Sequence, residues 1–91
     1  MKSYDSVWDA IEASPEAAAS MEARSTIMMA VEKIVRSWEL PQHAAARKLG
    51  ITQPRLNDLL RGKIDKFSLD ALFDLCTHAG MKVTVRLKKV A

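Results

Sequence analysis

The sequence predicts a mainly α-helical domain, and three observations lead to that fold class. Apolar residues make up 48% of the 91 residues, but aromatic residues make up only 5%. Most of the apolar side chains belong to Ala, Leu, Val, Ile and Met, which suit small and closely packed helices. Glycine and proline occur three times each, which leaves little room for long loops or a sheet of many strands. A chain of this length forms one domain that buries roughly 60–65% of its unfolded surface.

A long amphipathic helix is predicted over residues 15–38. Ser14 is a good N-cap residue, and Pro15 is well tolerated at the first helical position. The apolar residues then step by one, three or four positions, which is typical of one helix face. These residues are Ile27, Met28, Val31, Ile34, Val35 and Trp38. One helix or two would fit the pattern, and we favour one. Residues 1–14 form a lead-in segment before the helical domain, which extends over residues 15–80.

Two short helices joined at Gly50 form the central feature of the sequence, over residues 42–61. The first helix, QHAAARKL, ends at this glycine, and glycine readily adopts the left-handed conformation of a sharp turn. Ala45 and Ala46 are small enough to let two helices cross closely. The sequence therefore predicts a helix-turn-helix motif.

The second helix of the motif, in the segment TQPRLNDLLRG, has a proline close to its start. Proline is tolerated in the first helical turn, where backbone N–H groups lack partners. The helix therefore begins after either Thr52 or Gln53, and the restriction on residues before proline slightly favours the later start. Its buried stripe is predicted to be Leu56, Leu59 and Leu60.

The polar side chains of this second helix point away from the buried stripe. In helix-turn-helix units the second helix lies in the major groove of DNA, with its N-terminal residues at the base edges. Gln53 can pair with adenine and Arg55 with guanine, while Asp58 can accept a hydrogen bond from cytosine. Asn57 lies beside them. The pattern predicts sequence-specific binding of double-stranded DNA.

The remaining helix and a strand are predicted after the motif. The segment SLDALFDLCTHAG has Ser68 as its cap and Gly80 as its stop, and its predicted inward residues are Leu69, Leu72, Phe73 and Cys76. Residues 81–88, MKVTVRLK, alternate between apolar and polar, which is typical of a half-buried strand. A lone strand leaves backbone groups unpaired, so it needs a partner. Residues 2–4 are a weak candidate, and a second copy of the chain is the better one. We therefore expect a homodimer, with residues 81–91 as its pairing strand and tail.

Charge is distributed unevenly along the chain. Residues 1–39 hold four Lys or Arg against seven Asp or Glu, a balance of −3, whereas residues 40–91 hold ten against four, a balance of +6. A basic second half suits a polyanion, and an acidic first half suits a basic partner. Two solvated surfaces without partners would show the same balance.

Several classes of protein are disfavoured. The single cysteine, Cys76, excludes an internal disulfide framework and suits a reducing cytoplasm. No apolar run approaches the ~18 residues of a membrane span, so we expect a cytoplasmic protein without a membrane partner. Cys76, His78 and His43 are too few for a zinc site. Because neither a nucleophile–base pair nor a phosphate loop stands out, we expect no enzyme activity and no cofactor.

The motif carries a family resemblance. The segment QHAAARKLGITQPRLNDLLRGK resembles the helix-turn-helix of the Xre or phage-repressor family. The segments KFSLDALFDLCTHAGMKVTV and VWDAIEASPEAAA are similar to the flanking regions of its HigA-like antitoxin subgroup. The resemblance implies a lambda-repressor-like helical bundle in a dimeric repressor. It also implies the antitoxin of a type II toxin-antitoxin pair, which regulates its own operon and binds a basic, RelE-like toxin.

The resemblance also implies roles for individual residues. Gln42 would contact phosphate, although Pro41 replaces the usual Ser or Thr cap before it. A second group would lie in or beside the major groove, and a third near the DNA backbone. The groove residues are Thr52, Gln53, Arg55, Asn57 and Asp58, and the backbone residues are Arg61 and Lys63.

Two alternatives stay open at this point. The main role of the chain is either DNA binding or the neutralisation of a basic toxin, and a stand-alone prophage-type regulator is a third reading. Trp8 and Ile11 are the candidate partner-binding residues, although Trp8 suits a dimer core equally well. The two roles predict different critical residues, with Arg55 needed for DNA and Trp8 for the toxin.

Overall fold

The computed structural model of the protein describes residues 14–90, and four α-helices organise this part of the chain. They are α1 (Pro15–Ser37), α2 (Gln42–Leu49), α3 (Gln53–Leu60) and α4 (Leu69–His78), with a 3-10 helix at Ile64–Lys66 before α4. The mainly helical class expected from composition is confirmed for these residues.

Helix α1 is a single helix of 23 residues, as we favoured from the sequence. Its N-terminus is capped by Ser14, whose hydroxyl oxygen accepts a hydrogen bond from the N–H of Ala17 at 3.0 Å. Pro15 occupies the start of the helix, where its missing N–H leaves no hydrogen bond unmade. Its length lets α1 pack against α3, the 3-10 helix and α4.

The core lies between α1 and the three shorter helices. Helix α2 contacts both α3 and α4, so each helix of the motif has its own support in the bundle. The buried apolar residues are Met28, Val31, Val35, Ala45, Ala46, Leu49, Leu56, Leu59, Phe67, Leu72, Leu75 and Cys76. This core fixes the orientation of the motif because every helix contributes to it.

The inward face of α4 differs in part from the prediction. Leu72 and Cys76 are buried as expected, but Leu75 is buried as well, while Leu69 and Phe73 are only half-buried. Leu75 lies three residues from Leu72 and one from Cys76, so the buried stripe is turned toward α2 and away from Phe73. Helix α4 packs against both α1 and α2. The periodicity of its own sequence was therefore not sufficient to predict how the helix is rotated about its axis.

The predicted C-terminal strand is wrong for the residues that the structure describes. Residues 81–90 form neither helix nor strand, and no strand occurs elsewhere in residues 14–90. The alternation is real, but a strand is stabilised by a hydrogen-bonded neighbour, and this part of the chain offers none. Val85 is 68% exposed and Leu87 is 88% exposed, so the apolar half of the pattern is not buried. The expectation that such a strand pairs across a dimer falls with it.

Candidate nucleic-acid interface

The turn between α2 and α3 sets the geometry of the motif. Gly50 has a φ of 74°, in the left-handed region that favours glycine. Its N–H donates to the carbonyl oxygen of Arg47, and the N–H of Ile51 donates to that of Ala46, both at 3.0 Å. These bonds satisfy the last carbonyl groups of α2 and reverse the chain within three residues. The helix-turn-helix expected from the sequence is present.

The later start of α3, which the sequence slightly favoured, is wrong, and the helix begins directly after Thr52. Helix α3 begins at Gln53, and Thr52 is its N-cap, with a hydroxyl oxygen that accepts the N–H of Arg55 at 3.2 Å. Pro54 is therefore the second helical residue, where it has no intrahelical donor to lose. Thr52 lies at the tip of the motif, but its oxygen already serves the helix as a cap.

One row of polar side chains on α3 faces solvent. Gln53, Asn57 and Arg61 follow each other at intervals of four residues, and all three are exposed. Residues at this spacing lie on one helix face. Leu56 and Leu59, which lie on the other side of α3, are both 0% exposed. Leu56 and Leu59 are thus buried as predicted, whereas Leu60, which was predicted to be buried, and Asp58, which was predicted to point outward, are only half-buried. DNA contact by the outward face remains a prediction.

Arg55 has a different environment from the other polar residues of α3. Its guanidinium carbon lies 4.3 Å from the centre of the Phe67 ring, and its Nη1 donates to the carbonyl oxygen of Lys66 at 3.1 Å. The side chain is thereby folded back onto the segment that follows α3. The structure thus does not bring Arg55 into the exposed row of Gln53 and Asn57.

Asp58 and Lys63 form an ion pair near the end of α3. The Lys63 Nζ and the Asp58 Oδ1 are 3.6 Å apart, and the backbone N–H of Lys63 donates to the Asp58 carbonyl oxygen at 3.0 Å. Both side chains are partly exposed, so the pair is screened by solvent and contributes little to stability. Its effect on the surface is to offset the negative charge that Asp58 would otherwise present.

Helix α2 adds polar and basic groups beside the motif turn. Gln42 is its first residue and is exposed, and Pro41 provides no side-chain cap. Arg47 and Lys48 lie in its last turn and are also exposed. The Nζ of Lys48 lies 4.2 Å from the centre of the Trp38 ring, a cation–π contact that orients this lysine.

Two arginines of α1 were not predicted to have any role at the motif. Arg24 donates through Nη1 to the carbonyl oxygens of Ile64 and Phe67, at 3.3 Å and 3.4 Å. Arg36 donates through Nη2 to the carbonyl oxygen of Leu60 at 3.4 Å. The partners lie more than 20 residues away in sequence and accept through backbone groups. Neither periodicity nor spacing carries a signal for such contacts.

Other sequence predictions involve residues away from the motif. Trp8 and Ile11, the candidate partner-binding residues, lie outside the residues that the structure describes. Within residues 14–90, no group of three or more His, Cys, Asp or Glu could hold a metal ion. Across the same residues, no helix is long and apolar enough to span a bilayer.

Comparison with known proteins agrees with the geometry of the motif. A family model described as a helix-turn-helix domain matches residues 11–88, which includes all four helices of the bundle. No curated protein matches the sequence. Because the family match covers most of the chain, the protein belongs to this family of helix-turn-helix DNA-binding domains.

Proposed function

We propose that the protein is a transcriptional repressor that reads a specific duplex sequence with α3 in the major groove. The observation that carries the proposal is the exposed row of Gln53 and Asn57 on α3 and Arg61 just after it, on the side away from the buried Leu56 and Leu59. Glutamine and asparagine offer a donor and an acceptor together, which suits the edge of adenine. Gln53 and Asn57 are therefore the proposed base-reading residues.

The proposed phosphate contacts surround this row. Gln42 and Thr52 lie at the N-termini of α2 and α3, where backbone N–H groups favour anions. Arg61 and Lys63 follow α3, and both keep exposed cationic groups. Asp58 is suited to selecting bases rather than attracting phosphate, because its carboxylate repels phosphate, and the ion pair with Lys63 reduces this repulsion. Lysines and arginines at such positions supply affinity, whereas base contacts supply specificity.

We also propose that the repressor acts as a homodimer on a palindromic operator. One α3 helix with two base-reading side chains covers only a few base pairs, which is too few for a unique site. Two copies would read two half-sites about one helical turn, ~34 Å, apart. The apolar side chains of Val85, Leu87 and Val90, which are at least 68% exposed, are available to be covered by another copy. A dimer bound over a promoter would block access to it.

Binding to duplex DNA of mixed sequence as a function of salt tests the electrostatic part of this proposal. The dissociation constant should rise about tenfold or more between 50 and 200 mM salt, because each phosphate contact releases counterions. Fluorescence anisotropy of a labelled duplex measures this slope. Lys82→Gln, outside the motif, serves as the control for loss of one charge and should leave the slope unchanged. Binding that is absent, or that does not respond to salt, would contradict the proposal.

A second candidate role is that of an antitoxin, in which the acidic N-terminal half covers a basic toxin. It is supported by the exposed Glu16, Glu22 and Glu39 of the α1 region and by the resemblance to HigA-like antitoxins. The discriminating observation is a neighbouring reading frame for a small basic protein. If its expression stops growth, co-expression of this chain should restore growth, and Trp8→Ala should weaken the rescue while Asn57→Ala leaves it intact. Failure of the wild-type chain to rescue growth would argue against this role.

A further inference from the structure

The segment that joins α3 to α4, residues 61–68, is held by two arginines from opposite sides. Arg24 of α1 donates to the carbonyl oxygens of Ile64 and Phe67, and Arg55 of α3 donates to that of Lys66. Three carbonyl groups within four residues are thus bound by guanidinium groups. We call Arg24, Arg55 and the Phe67 ring the arginine clasp.

The clasp is anchored in the core. Phe67 is 1% exposed, and its ring supports the guanidinium of Arg55 at 4.3 Å. Arg24 is half-buried, and its Nε also lies within 3.4 Å of the carbonyl oxygen of Ser20 in its own helix. Both guanidinium groups are therefore fixed by contacts within the protein. A guanidinium that reads guanine needs two donors aimed into the groove, whereas the ring contact and the Lys66 carbonyl bond, which uses one of its five N–H donors, hold the guanidinium of Arg55 beside residues 66 and 67.

The clasp matters because the segment that it holds carries the cations that follow α3, of which Arg61 and Lys66 are exposed and Lys63 is half-buried. Lys63 and Lys66 both belong to residues 61–68, and the side chain of Lys66 is exposed. Carbonyl oxygens carry partial negative charge and would repel a nearby phosphate. When guanidinium groups bind them, this repulsion is reduced and the backbone is held in one conformation. Pre-ordering lowers the entropy that the lysines lose on binding.

We propose that Arg24 and Arg55 are positioning residues for DNA binding, which hold Lys63 and Lys66 against the phosphate backbone, and that Arg55 does not read a base. This inference rests on the proposed function, since it concerns how the same surface binds duplex DNA. It assigns a role to Arg24, which lies on α1 and outside the helix-turn-helix motif. It also differs from the assignment of Arg55 to the groove that its position in α3 predicts.

The main test compares Arg24→Gln with Lys33→Gln, which removes the same charge from an exposed position on α1. Arg24→Gln should weaken binding to specific and random duplexes by the same factor, roughly tenfold for two lost phosphate contacts, and lower the salt slope by about 1.8. Its ranking of base sequences should match the wild type. Lys33→Gln should match the wild type in every respect. Arg24→Lys, which keeps the charge and N–H donors on a shorter side chain, should recover part of the affinity.

A double-variant cycle separates positioning from a general loss of stability. In a Lys63→Gln, Lys66→Gln background, Arg24→Gln should cause no further loss of affinity, because the groups through which it acts are gone. An equal loss in both backgrounds would overturn the proposal. The outcome for Arg55→Gln is equally decisive, since loss of preference at one base pair of the site would show that Arg55 reads a base.

Failure of this inference and failure of the proposed function give different results. If the wild-type protein binds no duplex DNA, both fail. If the wild type binds specifically while Arg24→Gln binds with unchanged affinity and salt slope, only the positioning role fails. Amide hydrogen exchange of residues 64–67 in the free protein provides a readout without DNA, and exchange should be faster in Arg24→Gln than in Lys33→Gln if the clasp orders this segment.

Discussion

Asn57 and Arg55 lie two positions apart on α3, and their side chains have different surroundings. Asn57 is exposed on the solvent face, whereas Arg55 contacts the Phe67 ring and the carbonyl oxygen of Lys66. The sequence was sufficient to predict which face of α3 is buried, because Leu56 and Leu59 follow helical spacing. It was not sufficient to predict the direction of a long, flexible side chain. That direction depends on Phe67, which reaches Arg55 only through the tertiary fold.

At the scale of a single residue, the burial of Cys76 predicts how the stability of the protein depends on pH. Burial raises the pKa of the Cys76 thiol above its ordinary value. The folded state therefore keeps the proton at a pH where the unfolded state has lost it. The resulting stability is present below the ordinary thiol pKa and is lost as pH rises through the raised pKa, by about 1.4 kcal/mol per unit of pKa difference.

The measurement is the free energy of unfolding of wild type and Cys76→Ala in urea, at neutral pH and at several alkaline pH values. The advantage of wild type over Cys76→Ala should shrink as pH rises through the alkaline range. The other ionisable groups are common to both proteins and cancel in the difference. A difference that is constant with pH would contradict the prediction.

At the scale of elements, the helix boundaries were the features that were easiest to predict from the sequence. Ser14 and Ser68 cap α1 and α4 as the sequence indicated, because a short hydroxyl side chain before a helix has a specific backbone partner. The restriction on residues before proline slightly favoured a start of α3 after Gln53, and this was wrong because the hydroxyl of Thr52 caps a helix that begins at Gln53. The strand prediction was wrong for the opposite reason, since an alternating segment forms a strand only beside a hydrogen-bonded neighbour, and residues 14–90 provide none.

The end of α1 provides a prediction about backbone strain. Glu39 has a φ of 53°, in the left-handed region, just after the C-cap residue Trp38. An L-residue in this conformation costs about 1–2 kcal/mol of stability. Glycine avoids that cost, but the greater freedom of its unfolded state lowers stability by about 0.5–1 kcal/mol. Glu39→Gly should therefore raise the free energy of unfolding by up to about 1 kcal/mol. Thermal or urea denaturation checks this value.

Lys33→Gly is the matched control for this substitution, because Lys33 lies in the interior of α1 and is exposed. Glycine in a helix interior lowers stability by about 1 kcal/mol. The two variants should thus change stability in opposite directions. A loss of stability in both would mean that the conformation at Glu39 is not strained.

At the scale of the whole molecule, residues 14–90 form a small helical bundle in which α1 holds both the motif and the segment that follows it. The sequence predicted the bundle and the motif, because buried stripes, caps and the turn at Gly50 are local patterns. It also predicted a basic second half. The contacts of Arg24 and Arg36 with backbone carbonyl groups could not be predicted, because they connect α1 to residues 24 to 43 positions further along the chain.

The most direct measurement of the central claim is selection of bound sequences from a random duplex pool, with wild type and Asn57→Ala at two salt concentrations. We predict a palindromic consensus with half-sites about one helical turn apart for wild type. Asn57→Ala should lose preference at one base pair of each half-site, worth about 1–3 kcal/mol, and keep the rest. Weak enrichment without a consensus, which disappears at the higher salt concentration, would contradict the account and show that the basic surface only attracts polyanions.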